Sequence, residues 1–113
     1  MASLVVDLDT AGRALRLLVR GDVDLVSHER LREALNIAVA ATDQRPIEVD
    51  LRGVTFLDAA GVGIMVGGYN AAHRRGLTLR VVGAAGIVRR VLEITGAASV
   101  LVDGTGPVRA AVA

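Results

Sequence analysis

The carboxylates and hydroxyls best placed for chemistry lie in two short segments of the sequence. The first is Gly21-Asp22-Val23-Asp24, and the second runs from Thr55 through Asp58 to Val62. Asp58 could in principle accept a phosphoryl group, but that chemistry also needs an acidic metal-binding pair and a lysine, and the chain has no lysine. Asp58 is better explained as a helix N-cap, because its carboxylate can accept hydrogen bonds from the unpaired amides of a first turn.

The other residues that could support catalysis lack the partners that an active site requires. The chain has no cysteine, and Ser3, Ser27 and Ser99 lie where helix capping or strand structure explains them. His28 and His73 are far apart in sequence and do not show the spacing of a metal site. The sequence therefore predicts a protein that is not an enzyme and holds no metal or cofactor.

The glycines after Asp58 resemble a dinucleotide-binding loop only in part. In Gly61-x-Gly63-x-x-x-Gly67 the third glycine is one position late, since Val66 occupies its place. No acidic residue occurs between Asp58 and Glu93 to bind a ribose. We expect these glycines to allow close approach of a helix, either to the sheet or to a partner.

Composition excludes several classes of partner. The 113 residues carry a net charge of +1 and include one Phe, one Tyr and no Trp, so a basic face or an aromatic platform for nucleic acid is not expected. No apolar run approaches the roughly 20 residues that span a bilayer. Hydrophobic residues make up 52% of the chain, enough for one packed core without disulfides. We expect one cytoplasmic domain over residues 1–113.

Hydrophobic periodicity predicts the elements that hold these segments in place. Alternating apolar residues at 4–8 and 15–19, on either side of a turn at Gly12, predict a β-hairpin. A helix is predicted over 28–41, with Ser27 as its N-cap.

Past residue 46 the pattern predicts a strand, a helix and a second strand. Alternation at 47–51 indicates a buried strand that Arg52-Gly53 ends. The period then changes to that of a helix, which runs from Asp58 to about Arg75. The strand predicted over 77–81 pairs in parallel with the one before the helix.

The rest of the chain predicts a further helix over 84–95 that ends at Gly96, followed by a strand or extended segment at 99–102. A final helix could begin at Gly106-Pro107, because proline is favoured in a first helical turn.

Three segments of the sequence resemble the STAS domain family, the fold of the bacterial anti-sigma factor antagonists. Asp58-Ala59-Ala60-Gly61 follows a buried strand as the family motif D-S-S-G or D-S-A-G does, and Gly21–Asp24 resembles the family's G-E-L-D. Leu92–Gly96, within the similar run 88–96, resembles its L-E-L-T-G helix end. The resemblance spans almost the whole chain and implies an α/β fold, with a four- to five-stranded mixed sheet and about four helices.

The resemblance also implies a function and a binding surface. The partner would be an anti-sigma factor of the histidine-kinase-like ATPase type, which phosphorylates the first serine of the motif. That position is Ala59 in this chain, so no phosphorylation is expected there, and Thr55 is the weaker alternative acceptor. The implied partner-binding residues are Asp22, Asp24, Thr55, Asp58, Ala59, Ala60, Gly61 and Val62.

Two other functions remain open from the sequence. The same fold serves as a STAS subunit of a membrane transporter or of a large sensory assembly. The amides at the start of the second helix could also bind a nucleotide or small ligand. The sequence does not predict an oligomeric state.

Overall fold

A computed structural model describes residues 3–102 of the chain. These residues form four strands and four helices. In chain order the elements are β1 (Val5–Asp9), β2 (Leu15–Val23), α1 (His28–Ala41), β3 (Ile47–Leu57), α2 (Ala59–Arg74), β4 (Leu79–Val82), α3 (Gly86–Ile94) and α4 (Ala98–Leu101). The helix predicted from Gly106 lies outside the described residues.

The four strands form one mixed sheet in the order β1-β2-β3-β4. β1 and β2 pair antiparallel, as the predicted hairpin requires, and β2–β3 and β3–β4 are parallel. The buried side chains of the sheet and of the helices make one hydrophobic core. The α/β architecture inferred from the sequence is thus confirmed, with four strands rather than five in the described part of the chain.

β3 is longer than its sequence pattern indicates. We predicted that Arg52-Gly53 ends this strand, but it continues to Leu57. Gly53 lies directly opposite Arg20 of β2, and a Cβ at Gly53 would collide with Cγ of the Arg20 side chain. The glycine therefore serves close packing within the sheet, and the extension carries Thr55 and Phe56 to the edge where α2 begins.

The segment at 99–102 was also predicted wrongly. It is not a strand, because Ala98–Leu101 form the short helix α4. Ala97, Ala98, Val100 and Leu101 are all buried, with helical spacing. Four residues are too few for sequence periodicity to distinguish a helix from a strand. The conformation of this segment therefore depends on how its side chains pack against the core.

Candidate partner-binding site

The start of α2 is fixed by Asp58, as predicted. Asp58 has extended backbone angles, and its Oδ1 accepts the amide hydrogen of Gly61 at 2.8 Å. Its own amide donates to the carbonyl of Val23 at 3.2 Å, which joins the end of β3 to the end of β2. The next two residues, Ala59 and Ala60, are exposed in the first turn of the helix. The motif therefore presents two methyl groups to solvent at a rigidly anchored helix start.

Sequence reasoning missed a residue that reaches Asp58 from α1. Nε2 of His28 lies 2.8 Å from Oδ1 and 3.0 Å from Oδ2 of Asp58. The histidine side chain is 13% exposed and that of Asp58 30%. Thirty residues separate the two in the chain, so no local pattern could have predicted this pair.

The β2–α1 segment is held by a second hydrogen-bonded turn. Asp24 Oδ1 accepts the amides of Val26 and Ser27 at 3.1 and 3.2 Å. Ser27 Oγ donates to the carbonyl of Asp22 at 2.8 Å and accepts the amide of Asp24 at 3.0 Å. Ser27 does precede α1, but its side chain does not cap that helix. Ser27 therefore occupies the predicted N-cap position, but the prediction that its side chain caps α1 is wrong, because the hydroxyl closes the turn before the helix.

Thr55 links the two segments of the candidate site. Its hydroxyl donates to Oδ1 of Asp22 at 2.6 Å across the β2–β3 pair. Together with the Asp58–Val23 contact, this bond places the β2–α1 turn next to the start of α2. The structure thus brings together Asp22, Thr55 and Asp58, while the Asp24 carboxylate serves the turn itself.

Three apolar side chains that sequence reasoning did not select are exposed on this part of the molecule. Leu25 and Val26 are 84% and 91% exposed in the β2–α1 turn, and Phe56 is 46% exposed. Phe56 pairs in register with Asp22, so it lies on the strand next to the turn. The position of Leu25 and Val26 between two turn-forming polar residues was the signal for their exposure, since such a turn rarely buries its apolar side chains.

The glycines of α2 serve two different roles. A Cβ at Gly61 would lie 2.5 Å from Cγ1 of Val23 and 2.9 Å from Cδ1 of Leu57, so this glycine allows α2 to meet the sheet. A Cβ at Gly63 or Gly67 would meet nothing within 4 Å. These two glycines line an open groove between α1 and α2. The expectation of close approach to the sheet therefore holds for Gly61.

The carboxylates of Asp58, Asp22 and Asp50 each have protein partners. Both oxygens of Asp58 are hydrogen-bonded, Asp22 faces Thr55, and buried Asp50 lies 4.0 and 3.6 Å from the guanidinium groups of Arg16 and Arg52. Among residues 3–102 no group of three or more His, Asp or Glu could hold a metal ion.

Comparison with known proteins identifies the family. The profile described as "Mlab, STAS domain" matches residues 6–103, and the chain belongs to the STAS domain family. Curated relatives include anti-sigma-B factor antagonists of Staphylococcus aureus, 28% identical over 83% of this chain and 86% of theirs, and of Listeria monocytogenes, 26% identical over 75% and 74%. The protein is an STAS protein similar to anti-sigma factor antagonists, and the non-enzymatic class predicted from its sequence is the class of these relatives.

Solved structures support the same assignment. An anti-sigma factor antagonist from Mycobacterium paratuberculosis superposes with a TM-score of 0.77 at 27% identity, over 88% of this chain and 83% of the other. The unphosphorylated form of the antagonist SpoIIAA shares the fold, with a TM-score of 0.71 at 19% identity over 82% of both chains. No helix within the described range is long and apolar enough to cross a membrane.

Proposed function

We propose that this protein is an anti-sigma factor antagonist that binds a histidine-kinase-like anti-sigma factor and is not switched at the usual serine position. The observation that supports this most directly is the exposed start of α2, where Ala59 and Ala60 follow the cap Asp58. Alanine has no hydroxyl to accept phosphate, so a partner kinase cannot place charge at position 59. Binding there is constitutive.

The proposed docking face consists of the β2–α1 turn and the start of α2. It includes the predicted residues Asp22, Asp24, Thr55, Asp58, Ala59, Ala60, Gly61 and Val62. Val62 and Gly61 are buried and shape this face from below, whereas Ala59 and Ala60 lie on it. The exposed side chains of Leu25 and Val26 in the turn, with partly exposed Phe56 on β3, add apolar surface near these residues, and apolar surface of this kind is common at protein interfaces.

Thr55 is a poor substitute phosphoacceptor in this arrangement. Its hydroxyl is engaged by the Asp22 carboxylate at 2.6 Å. A phosphate on that oxygen would add roughly two negative charges beside an existing one, which electrostatic repulsion disfavours. We therefore expect no phosphate at residues 55–61 after incubation with the cognate kinase and ATP, and mass spectrometry of that segment tests this expectation.

A matched pair of variants tests the docking face. Ala59→Asp places a negative charge where the family carries phosphate, and Ala59→Asn adds a side chain of the same size without charge. α2 has no acidic residue in its first turn, and acids are favourable there, so Ala59→Asp should not destabilise the isolated protein. Urea unfolding of both variants checks that a change in affinity does not come from unfolding. We expect the affinity of Ala59→Asp for the purified anti-sigma factor of the source organism to be at least about tenfold lower than that of Ala59→Asn, which corresponds to about 1.4 kcal/mol.

The measured affinities test both the position of the docking face and the antagonist function. Equal affinity of the two variants would place the contact on another face of the domain. Leu25→Ser is a second probe, since it removes an exposed apolar side chain without touching the core. If the anti-sigma factor binds neither the native chain nor any variant, the antagonist function is wrong.

A second candidate is a STAS subunit of a transporter or sensory assembly. The family model that matches this chain carries the description "Mlab, STAS domain" and does not name an antagonist. This observation favours the second candidate. Co-purification of the tagged chain with a membrane ATPase complex, and not with an anti-sigma factor, would establish it.

The third possibility, a nucleotide sensor, is less favoured because the Gly61 amide at the helix start is already hydrogen-bonded to Asp58. Calorimetric titration with nucleotides tests it.

A further inference from the structure

We propose that His28 is a positioning residue for the proposed docking face: through its bond to Asp58 it holds the start of α2 against the β2–α1 turn. This inference rests on the proposed function only in one respect, namely that the start of α2 and the β2–α1 turn form a docking face. The contact itself is a property of the isolated chain, so it can be tested with no partner present.

The geometry of the pair defines the chemistry of the bond. Nε2 of His28 is within 3.0 Å of both carboxylate oxygens of Asp58. An ionised carboxylate only accepts hydrogen bonds, so Nε2 must carry the proton. Since Oδ1 also accepts the Gly61 amide at 2.8 Å, one carboxylate receives hydrogen bonds from the first residue of α1 and the first turn of α2. The imidazole thereby restricts the rotation of the side chain that caps α2.

The bond between His28 and Asp58 lies in surroundings that are partly withdrawn from water. The imidazole is largely withdrawn from water. The backbone of Asp58 is held at both ends, because its amide donates a hydrogen bond to the carbonyl of Val23 and its carbonyl accepts one from the amide of Val62. A hydrogen bond in such a setting is electrostatically stronger than the same bond in water. His28 is also the residue after Ser27, which closes the neighbouring turn. The histidine thus connects the two halves of the docking face.

Three variants separate positioning from simple packing. His28→Phe keeps a ring but has no donor, His28→Gln restores an N–H donor, and His28→Ala removes both. We expect the amide hydrogen of Gly61 to exchange with solvent about tenfold faster in His28→Phe and His28→Ala, the order expected when a net hydrogen bond is lost. Exchange should return to within about threefold of the native rate in His28→Gln, while amides of β2 and β3 stay unchanged.

Other results would overturn the proposal. Native protection of Gly61 in His28→Phe, or acceleration spread equally over the sheet, would show that the ring only fills space. A measurement on the native protein needs no variant: long-range ¹⁵N–¹H spectra at pH 7.5 should show a proton on Nε2 of His28. A bare Nε2 would exclude the bond even if every variant failed to fold. Failure of partner binding alone would leave these spectra unchanged, so the two proposals fail separately.

Discussion

Gly61→Ala offers the most direct test of how α2 is seated. In an open helix position, replacing glycine by alanine gains about 1 kcal/mol of helix propensity. At Gly61 the new methyl group would lie 2.5 Å from Cγ1 of Val23, which is fully buried and stiff at χ1 because it is β-branched. Forcing a methyl into such a packed site costs about 1–3 kcal/mol. We therefore expect a net loss of about 1 kcal/mol in the free energy of unfolding.

Gly63→Ala is the matched control on the same helix. Its Cβ meets nothing within 4 Å, so this variant should gain about 0.4–1 kcal/mol. Both substitutions gain the same helix propensity. The difference between their free energies of unfolding therefore measures the steric cost of the methyl group at position 61. With a urea slope of about 1.5–2 kcal/mol/M, a difference of about 2 kcal/mol separates the two unfolding midpoints by about 1 M.

The assay is urea unfolding of the native chain and the two variants, followed by circular dichroism. Equal midpoints for Gly61→Ala and Gly63→Ala would refute the reasoning. A double-mutant cycle adds a second check, because Val23→Ala removes the methyl group that the new side chain meets. In that background Gly61→Ala should cost less or become stabilising, and strict additivity would show that the two residues do not touch.

Three further predictions concern individual side chains. Asp58→Ala should lower the free energy of unfolding by at least about 1 kcal/mol, because both the helix cap and the bond to His28 are lost, whereas Asp58→Asn keeps a cap and should lower it less; urea midpoints compare the two variants. Asp50→Ala should cost about 1–3 kcal/mol by the same assay, because the amide of Arg52 loses a buried acceptor, and Asp50→Asn, which retains one, should cost less. The hydrogen bond from Arg45 lowers the pKa of Asp43, so Arg45→Met should raise it, seen by carboxyl ¹³C titration; an unmoved pKa would contradict the bond. Since the folded-state pKa of Asp43 is depressed, the native chain should lose this contribution as the pH falls below about 4, and Arg45→Met should not.

The order of the elements could be predicted from the sequence because the core residues follow simple periods. Ile47, Val49 and Leu51 alternate and are buried, and the change of period after Asp58 marks α2. The end of β3 could not be predicted, because Gly53 is a usual strand breaker and only the Arg20 side chain across the sheet explains it. Local pattern thus locates the elements better than it locates their ends.

The candidate site divides in the same way. The position of Asp58 as a cap follows from its own neighbours in the chain, and the structure confirms it. The Asp22–Thr55 and His28–Asp58 bonds join residues about thirty positions apart, so they exist only once β2 and β3 are paired. Long-range pairs of this kind carry no local signal in one sequence.

The exposed methyl group of Ala59 has a consequence for signalling in time. A surface that is modified covalently stores the history of its kinase, and its output can change while the number of molecules stays constant. The Ala59 side chain has no hydroxyl, so no phosphate can record kinase activity at that position. Under the proposed function, the dose of this antagonist is set by its synthesis and degradation, and the speed of the response is set by its half-life in the cell.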